Sequence, residues 1–400
     1  MLRQPRGFWN LFGADLIVRT AYQMGKTPVL PLFAASIGAG QMVIGTIVAV
    51  STVTGMLLKP LIGALSDRWG RRIWLLAGLC LFAGTPFLYQ LVTTPEQLFA
   101  LRLFHGTATA IFGPVTLAMV SEMGRENRAT RLGWFEIARQ SGYLLAPALA
   151  GWMLTFMDPA AVFTVVGLLS CLAFLPAAFM PVPAPPQHAD RAARPGVLRQ
   201  LAAGFAHTAG RVELWFAGSL EMTVYSVTYG LKAFLPLFAI QEAGFGVLAA
   251  GLFFTVQEAA HIVARPVGGW LGDRLGYLPA IAGGMATLAV ALLWLPSVTL
   301  GPELLAVAVL SGVGQGLIFP STVALIGNAV AAGHLGLGMG VYGTLKNLGK
   351  VAGPLAAGAL LEFLPYEGLF RTLAGFALLA ACLVLLAHRH QRRAAAQQQN

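Results

Sequence analysis

Asp15, Glu136, Glu221 and Glu258 each interrupt an apolar run of about 20 residues, long enough to cross a bilayer as a helix. A charge near the bilayer centre costs at least ~2.5–3.5 kcal/mol on insertion scales, so a residue of this kind is a functional candidate by default. The chemistry a buried carboxyl offers is reversible uptake of a proton. Glu258 is followed at i,i+3 by His261, which puts a carboxylate and an imidazole on one helix face. Asp15 is i,i+4 from Arg19, a spacing that suits a structural salt bridge equally well. Glu136 has Arg139 and Gln140 within a turn and is open to the same two readings. Asp15 and Glu221 stand sixteen and fifteen residues before Pro31 and Pro236.

The elements that must position these groups follow from composition. The chain has 400 residues, of which 57% are hydrophobic and 10% charged. A soluble domain carries about a quarter charged residues, so a soluble fold is excluded. Twelve apolar stretches recur, centred near residues 20, 50, 83, 110, 143, 170, 225, 256, 288, 315, 348 and 378. A transmembrane barrel would show alternating segments of ~10 residues instead. The expected class is an all-α membrane protein with twelve transmembrane helices. The first apolar run carries Asp15, Arg19 and Lys26, unlike the core of a removable signal peptide. Cys80, Cys171 and Cys382 lie in apolar spans with no disulfide or metal spacing, and no cofactor is expected.

Arginines mark one set of alternate loops: Arg68, Arg71 and Arg72; Arg125, Arg128 and Arg131; Arg191, Arg194, Arg199 and Arg211; Arg389, Arg392 and Arg393. The opposite loops offer Arg371 and are otherwise marked by Glu96, Asp158 and Glu242. Positive charge stays on the cytoplasmic side, so both termini are expected there, in a cytoplasmic (inner) membrane. Arginines scattered over short loops do not form a nucleic-acid stripe. The expected partners are a small-molecule substrate, protons and the lipid bilayer, with the chain acting as a monomer.

The stretch "PVPAPPQHADRAARPGVLRQ" (181–200) divides six spans from six. The expected organisation is a six-helix bundle over 1–181, a cytoplasmic linker over 182–210, and a second six-helix bundle with a short basic tail over 211–400. Sliding the second half back by 205–207 residues superimposes "PVLPLFA" (28–34) on "AFLPLFA" (233–239), and "KPLIGALSDRWG" (59–70) on "RPVGGWLGDRLG" (265–276). Pro114 then meets Pro320, and "SGYLLAPALAG" (141–151) meets "LGKVAGPLAAG" (348–358). Six is an even number of spans, so the halves share one orientation and form a parallel pseudo-two-fold repeat.

The segment "GALSDRWGRR" (63–72) carries Gly63, Asp67, Arg68, Gly70, Arg71 and Arg72. It resembles the loop between spans 2 and 3 of the major facilitator superfamily, roughly G-x-x-x-D-R-x-G-R-R. The second copy keeps Gly269, Asp273, Arg274 and Gly276. The resemblance implies a conformational gate at this loop, where glycine serves a tight turn by positive φ or close approach. Span 4, "LRLFHG" (101–106), is similar to the family's R-x-x-q-G, with Arg102 and Gly106 in place and His105 where Gln is usual. That similarity implies a part for Arg102 in proton coupling. Gly142, Pro147 and Gly151 in span 5 resemble the antiporter motif of the 12-helix drug:proton exporters, with Ala146 and Ala150 replacing two glycines. Gly349, Gly353, Pro354 and Gly358 in span 11 match it more closely. Small residues also let helices approach, so a packing seam is the competing reading.

Spans 3, 6 and 9 carry no charge, whereas spans 1, 4, 5, 7, 8 and 11 hold seven bases and four acids. That pattern fits every third helix facing lipid around a wetter interior. All five lysines lie in predicted spans. A substrate cavity is expected to draw on Arg19, Tyr22, Gln23, Lys26, His105, Arg139 and Tyr143 from the first half. From the second half it would draw on Tyr225, Tyr229, Lys232, Gln315, Lys346, Asn347 and Lys350. Proton coupling is expected of Glu221, Glu258, Asp15, Glu136, Arg102 and His261. There is no H-E-x-x-H or G-x-S-x-G, so no enzyme is expected, and no P-loop, so work must draw on an ion gradient. The expected function is proton-coupled antiport, exporting a small amphiphilic solute by alternating access. The alternative is a proton symporter importing an anionic metabolite, favoured by the basic cavity and opposed by the span-5 motif.

Overall fold

Apolar runs of this length must satisfy their backbone hydrogen bonds internally, and the helix is how one segment does so. A computed structural model describes residues 7–123, 128–180, 212–329 and 335–398. It forms two compact units, Met1–Leu201 and Ala202–Asn400. The expected linker 182–210 lies outside the described residues.

The first unit contains α1 (Phe8–Met24, continued as Leu30–Ser36), α2 (Gln41–Trp69), α3 (Arg71–Gly84), α4 (Pro95–Glu122), α5 (Arg128–Met153) and α6 (Pro159–Leu172). The second contains α7 (Val212–Gln241), α8 (Val247–Leu275), α9 (Tyr277–Trp294), α10 (Gly301–Ala329), α11 (Leu335–Leu360) and α12 (Tyr366–Gln398). Among the described residues nine helices are long and apolar enough to cross a membrane. The other three, α1, α5 and α11, are those that carry Asp15, Arg19 and Lys26, Glu136 and Arg139, and Lys346 and Lys350.

The one-residue difference between the halves has a structural counterpart. Helix α7 runs unbroken through Glu221 and Pro236, while α1 is interrupted at Gly25–Val29 by a kink in which Thr27 takes extended backbone angles (φ −143°, ψ 119°). It lies between Asp15 and Pro31 and carries Lys26.

Gly70 (φ 93°) ends α2 and Gly276 (φ 96°) ends α8, both in the left-handed region that glycine tolerates. Gly63 sits inside α2 rather than in the turn, and among the described residues nothing lies within 4 Å of a Cβ built there.

Other glycines do set helix contact. A Cβ on Gly349 or Gly353 of α11 would fall on the carbonyl oxygens of Met222 or Ser226 of α7. On Gly312 of α10 it would fall on the carbonyl oxygen of Gln257 in α8. The first unit repeats the theme. Gly106 of α4 leaves a Cβ 2.9 Å from the Ser51 carbonyl oxygen of α2, and Gly142 of α5 leaves one 3.0 Å from the Arg19 backbone of α1. In lipid, helices associate through such close backbone approach rather than hydrophobic drive. Gly142 of α5 and Gly349 and Gly353 of α11 are therefore packing seams within their own units. Charge-free α9 is also packed on α10: a Cβ on Gly284 would lie 2.6 Å from the Gly314 carbonyl oxygen.

Candidate functional site

Each unit holds a buried carboxylate on its first helix, bonded to a threonine on its fourth. Asp15 is fully buried and accepts a hydrogen bond from Thr116 Oγ1 at 3.2 Å. Glu221 is 1% exposed and accepts one from Thr322 Oγ1 at 3.0 Å. Both the acids (15 and 221) and the threonines (116 and 322) are 206 positions apart, so the repeat extends to this contact. The second oxygens differ. Asp15 Oδ2 takes Arg19 Nε at 2.6 Å, an ion pair. Glu221 Oε1 takes the Tyr342 hydroxyl at 2.6 Å, and Glu221 forms no ion pair among the described residues. Two hydroxyls can donate to a carboxylate, and either can turn to accept once the carboxyl carries a proton.

Arg19 therefore carries the charge balance of Asp15. Arg19→Leu should destabilise the protein by about 3–5 kcal/mol, because it leaves a buried charge without its partner. Arg19→Leu with Asp15→Leu should recover most of that loss. Thermal unfolding of the two variants in detergent checks both, and equal losses would contradict the pairing.

In the first unit Arg102 is 1% exposed and donates to Ser51 Oγ at 2.5 Å and to Tyr89 Oη at 3.4 Å. It forms no ion pair among the described residues. Tyr89 Oη lies 3.1 Å from His105 Nδ1. Since the hydroxyl accepts from Arg102, its own hydrogen is available to Nδ1, and a neutral His105 then carries its hydrogen on Nε2. Among the described residues Arg102 Nε and His105 Nε2 are both buried without a hydrogen-bond partner. The Tyr22 ring packs edge-on against His105 at 5.4 Å, and Lys26 Nζ lies 6.0 Å from the centre of the Tyr22 ring. Gln23 is buried and Tyr143 half-buried. Glu136 differs from the other three acids in being 50% exposed; it bonds Arg139 at 3.2 Å and Gln140 at 2.8 Å.

In the second unit α8 carries a chain of three. His261 Nδ1 lies 3.3 Å from Glu258 Oε1, and Arg265 Nε donates to His261 Nε2 at 3.4 Å. The imidazole that satisfies both contacts is neutral, with its hydrogen on Nδ1. A proton added at Nε2 would face the Arg265 donor and break that contact.

Cations and ring faces of α7, α10 and α11 interleave beside it. Lys346 Nζ is 4.6 Å from the ring centre of Tyr225, and Lys350 Nζ lies 5.1 Å from Tyr225 and 5.3 Å from Tyr229. Lys232 Nζ is 5.5 Å from Tyr229. Gln315 spends its amide on the Ser311 carbonyl at 3.1 Å, and Asn347 is half-buried.

At the gate loop Arg71 pairs with Glu122 of α4 at 2.7 Å. Arg68 is exposed and Arg72 half-buried, whereas the side chain of Asp67 lies outside the described residues. In the second copy Asp273 and Arg274 are exposed, and Arg274 stacks 4.9 Å over Trp270. Glu122 is 59% exposed, and an ion pair this open is worth about 0–1 kcal/mol. Glu122→Gln should thus shift thermal stability little. A transport defect without a stability change would assign the pair to the conformational cycle.

Sequence reasoning found the acids, Arg102 and the partners within one helix, and missed the partners on other helices and turns. Thr116, Thr322, Tyr342, Ser51 and Tyr89 are ordinary residues in a helical pattern. The repeat offset, applied to Thr116 once Asp15 was chosen, would have reached Thr322.

Twelve helices, with ionisable side chains buried inside each six-helix unit, define a multi-pass membrane protein built to hold charge at membrane depth. The family model described as Major Facilitator Superfamily matches residues 16–256 and 214–400, and the chain belongs to that family of secondary transporters. It is 25% identical over 347 residues to Multidrug resistance protein 1 of Bacillus subtilis, covering 84% of this chain and 85% of that protein. It is 26% identical over 348 residues to the class G tetracycline resistance protein of Vibrio anguillarum, covering 83% and 85%. Among solved structures it is similar to the nucleoside transporter NupG, with TM-score 0.78, 15% identity and coverage of 95% and 98%. A peptide transporter POT in complex with sulfate gives TM-score 0.74, 15% identity and coverage of 98% and 96%.

Proposed function

We propose that this transporter exports a small amphiphilic solute in exchange for protons, by alternating access across the cytoplasmic membrane, with both termini on the cytoplasmic side. The observation that carries the reading is Glu221. It is buried, bonded to two hydroxyls and free of any ion pair among the described residues, so it can take up a proton without breaking a salt bridge. The Glu258–His261–Arg265 chain is the second proton site, because protonation there must rearrange a contact. Asp15 is held by Arg19 and acts in positioning, and exposed Glu136 ranks last. Arg102 and His105 form the polar interior of the first unit. Drug-resistance proteins among the relatives support the outward direction.

The chain works as a monomer in this proposal, with 182–210 as the linker between its bundles. Symport with an anion is the second reading, favoured by the lysines of α7 and α11.

The test is reconstitution in liposomes enclosing a pH-sensitive dye, followed by amphiphilic cations, anions and neutral solutes. Substrate entry with proton exit is the expected result. Protons entering together with an anion would replace antiport with symport.

A further inference from the structure

Lys59 lies inside α2, ten residues before Trp69 ends the helix, or about 15 Å of helix rise. A lysine that snorkels turns its ammonium toward the nearer helix end and water. Lys59 turns the other way. Its Cε lies 3.9 Å from where a Cβ on Gly55 would stand, one turn deeper into the span. That same point is 2.9 Å from Thr109 Oγ1, so the lysine runs alongside Thr109 of α4. Arg19 of α1 reaches the next turn of α4, with Nη2 3.8 Å from the Cβ position of Gly113. Among the described residues nothing else from outside α4 comes within 4 Å of that position. Thr109 and Gly113 are i,i+4 on one face, about 6 Å apart along the axis, and the two cationic groups flank the turn between them.

The charge gathered here is positive. The groups whose charge acts on Lys59 are Arg139 of α5, Arg19 and the Tyr22 hydroxyl, with no carboxylate among them. Lys59 itself forms no hydrogen bond or ion pair among the described residues. Arg19 spends Nε on Asp15 and leaves Nη2 without a hydrogen-bond partner among the described residues. Arg139 spends Nη1 on Glu136. Thr109 Oγ1 gives its hydrogen to the Gly106 carbonyl at 2.8 Å, so the donors left at this turn are the cationic N–H groups. Lys59, Thr109, Gly113 and Arg139 are all half-buried rather than sealed, which leaves the turn open to a solute. Ionisable groups at membrane depth face the bundle interior or a watery cavity rather than lipid, and an uncompensated base there favours whatever brings it a negative charge.

We propose that Lys59 and Arg19, on either side of the Thr109–Gly113 turn, form a subsite for the carboxylate of an organic anion. Lys59 Nζ and Arg19 Nη2 each donate to one carboxylate oxygen, and Arg139 adds positive charge beside them. Two charge-assisted bonds of about 2.8 Å to one carboxylate bridge donors about a helical turn apart. The inference rests on the reading of the first unit's polar interior as part of the substrate cavity. It narrows the solute from amphiphilic to an amphiphilic carboxylate.

The experiment titrates the purified full-length protein in detergent with three probes of one shape and different charge: 4-fluorobenzoate, 4-fluorobenzamide and 4-fluorobenzamidinium. Fluorine NMR should show the benzoate binding at least about tenfold more tightly than the amidinium. Lys59→Gln should weaken the benzoate about tenfold and leave the neutral amide within about twofold, so that the amide reports an intact fold. Lys59→Arg should retain benzoate binding. Arg393→Gln removes one charge from an exposed helix end and should leave benzoate affinity within about twofold. Absence of benzoate binding, equal or tighter binding of the amidinium, or benzoate affinity indifferent to Lys59→Gln would overturn the proposal. So would an equal loss in Arg393→Gln, which would mark an effect of net charge alone. The same probes in dye-loaded liposomes separate this subsite from the transport reading. Benzoate that binds through Lys59 and moves no protons leaves the subsite standing and removes proton exchange. An amidinium that drives protons, with benzoate inert in binding, does the reverse.

Discussion

Glu221→Gln should reduce substrate-driven proton movement at least about tenfold, to the background of protein-free liposomes, while the protein still folds and binds solute. Gln keeps the shape of the side chain and an oxygen that can accept from Tyr342 or Thr322. What it loses is the ability to ionise. No salt bridge depends on Glu221 among the described residues, so no buried cation is stranded by the change. The repeat supplies a matched control in Asp15→Asn, at the equivalent position bonded to the equivalent threonine. That substitution strands Arg19, whose side chain is 22% exposed, and its first effect should be on stability. Proton flux in dye-loaded liposomes and thermal unfolding in detergent, measured on both variants, distinguish the two roles. Full proton coupling in Glu221→Gln would transfer the role to Glu258 and His261.

The contrast between the acids also explains what was legible in the sequence. Helix number, their order and the repeat follow from apolar run length, because lipid leaves the backbone few alternatives. Pairs within one helix were equally visible: Asp15 with Arg19, Glu136 with Arg139 and Glu258 with His261 lie three or four residues apart, where helical geometry fixes proximity. Contacts between helices were not visible, since they depend on the depth and rotation of one helix against another. Tyr342 reaches Glu221 across 121 residues, and Arg102 reaches Ser51 across 51. At the gate loop Gly70 takes the positive φ of the turn, whereas Gly63 lies within α2. A motif marks positions, whereas φ and the space around a Cβ decide what each glycine does.

Gly353→Val should prevent accumulation of folded protein. A Cβ at Gly353 would fall on the Ser226 carbonyl oxygen and 2.9 Å from the Gly230 nitrogen, both backbone atoms of α7 that no rotamer change can move aside. Overpacking a tight core typically costs about 1–3 kcal/mol, and Val adds two methyl groups beyond the first clash. Gly353→Ala should be the milder case, a lowered unfolding temperature with protein still recoverable. Gly283→Ala in α9 is the control: nothing lies within 4 Å of its added Cβ, so it should stay within about 0.5 kcal/mol of the parent. Size-exclusion profiles before and after heating rank the three, and a monodisperse, heat-stable Gly353→Val protein would contradict the seam. The consequence reaches function. Backbones in such close contact are costly to part, so α7 and α11 are expected to move as one body in the transport cycle. Glu221 and its Tyr342 partner sit on those two helices, and their hydrogen bond must then yield to a rotating hydroxyl or an arriving proton rather than to separation of the helices.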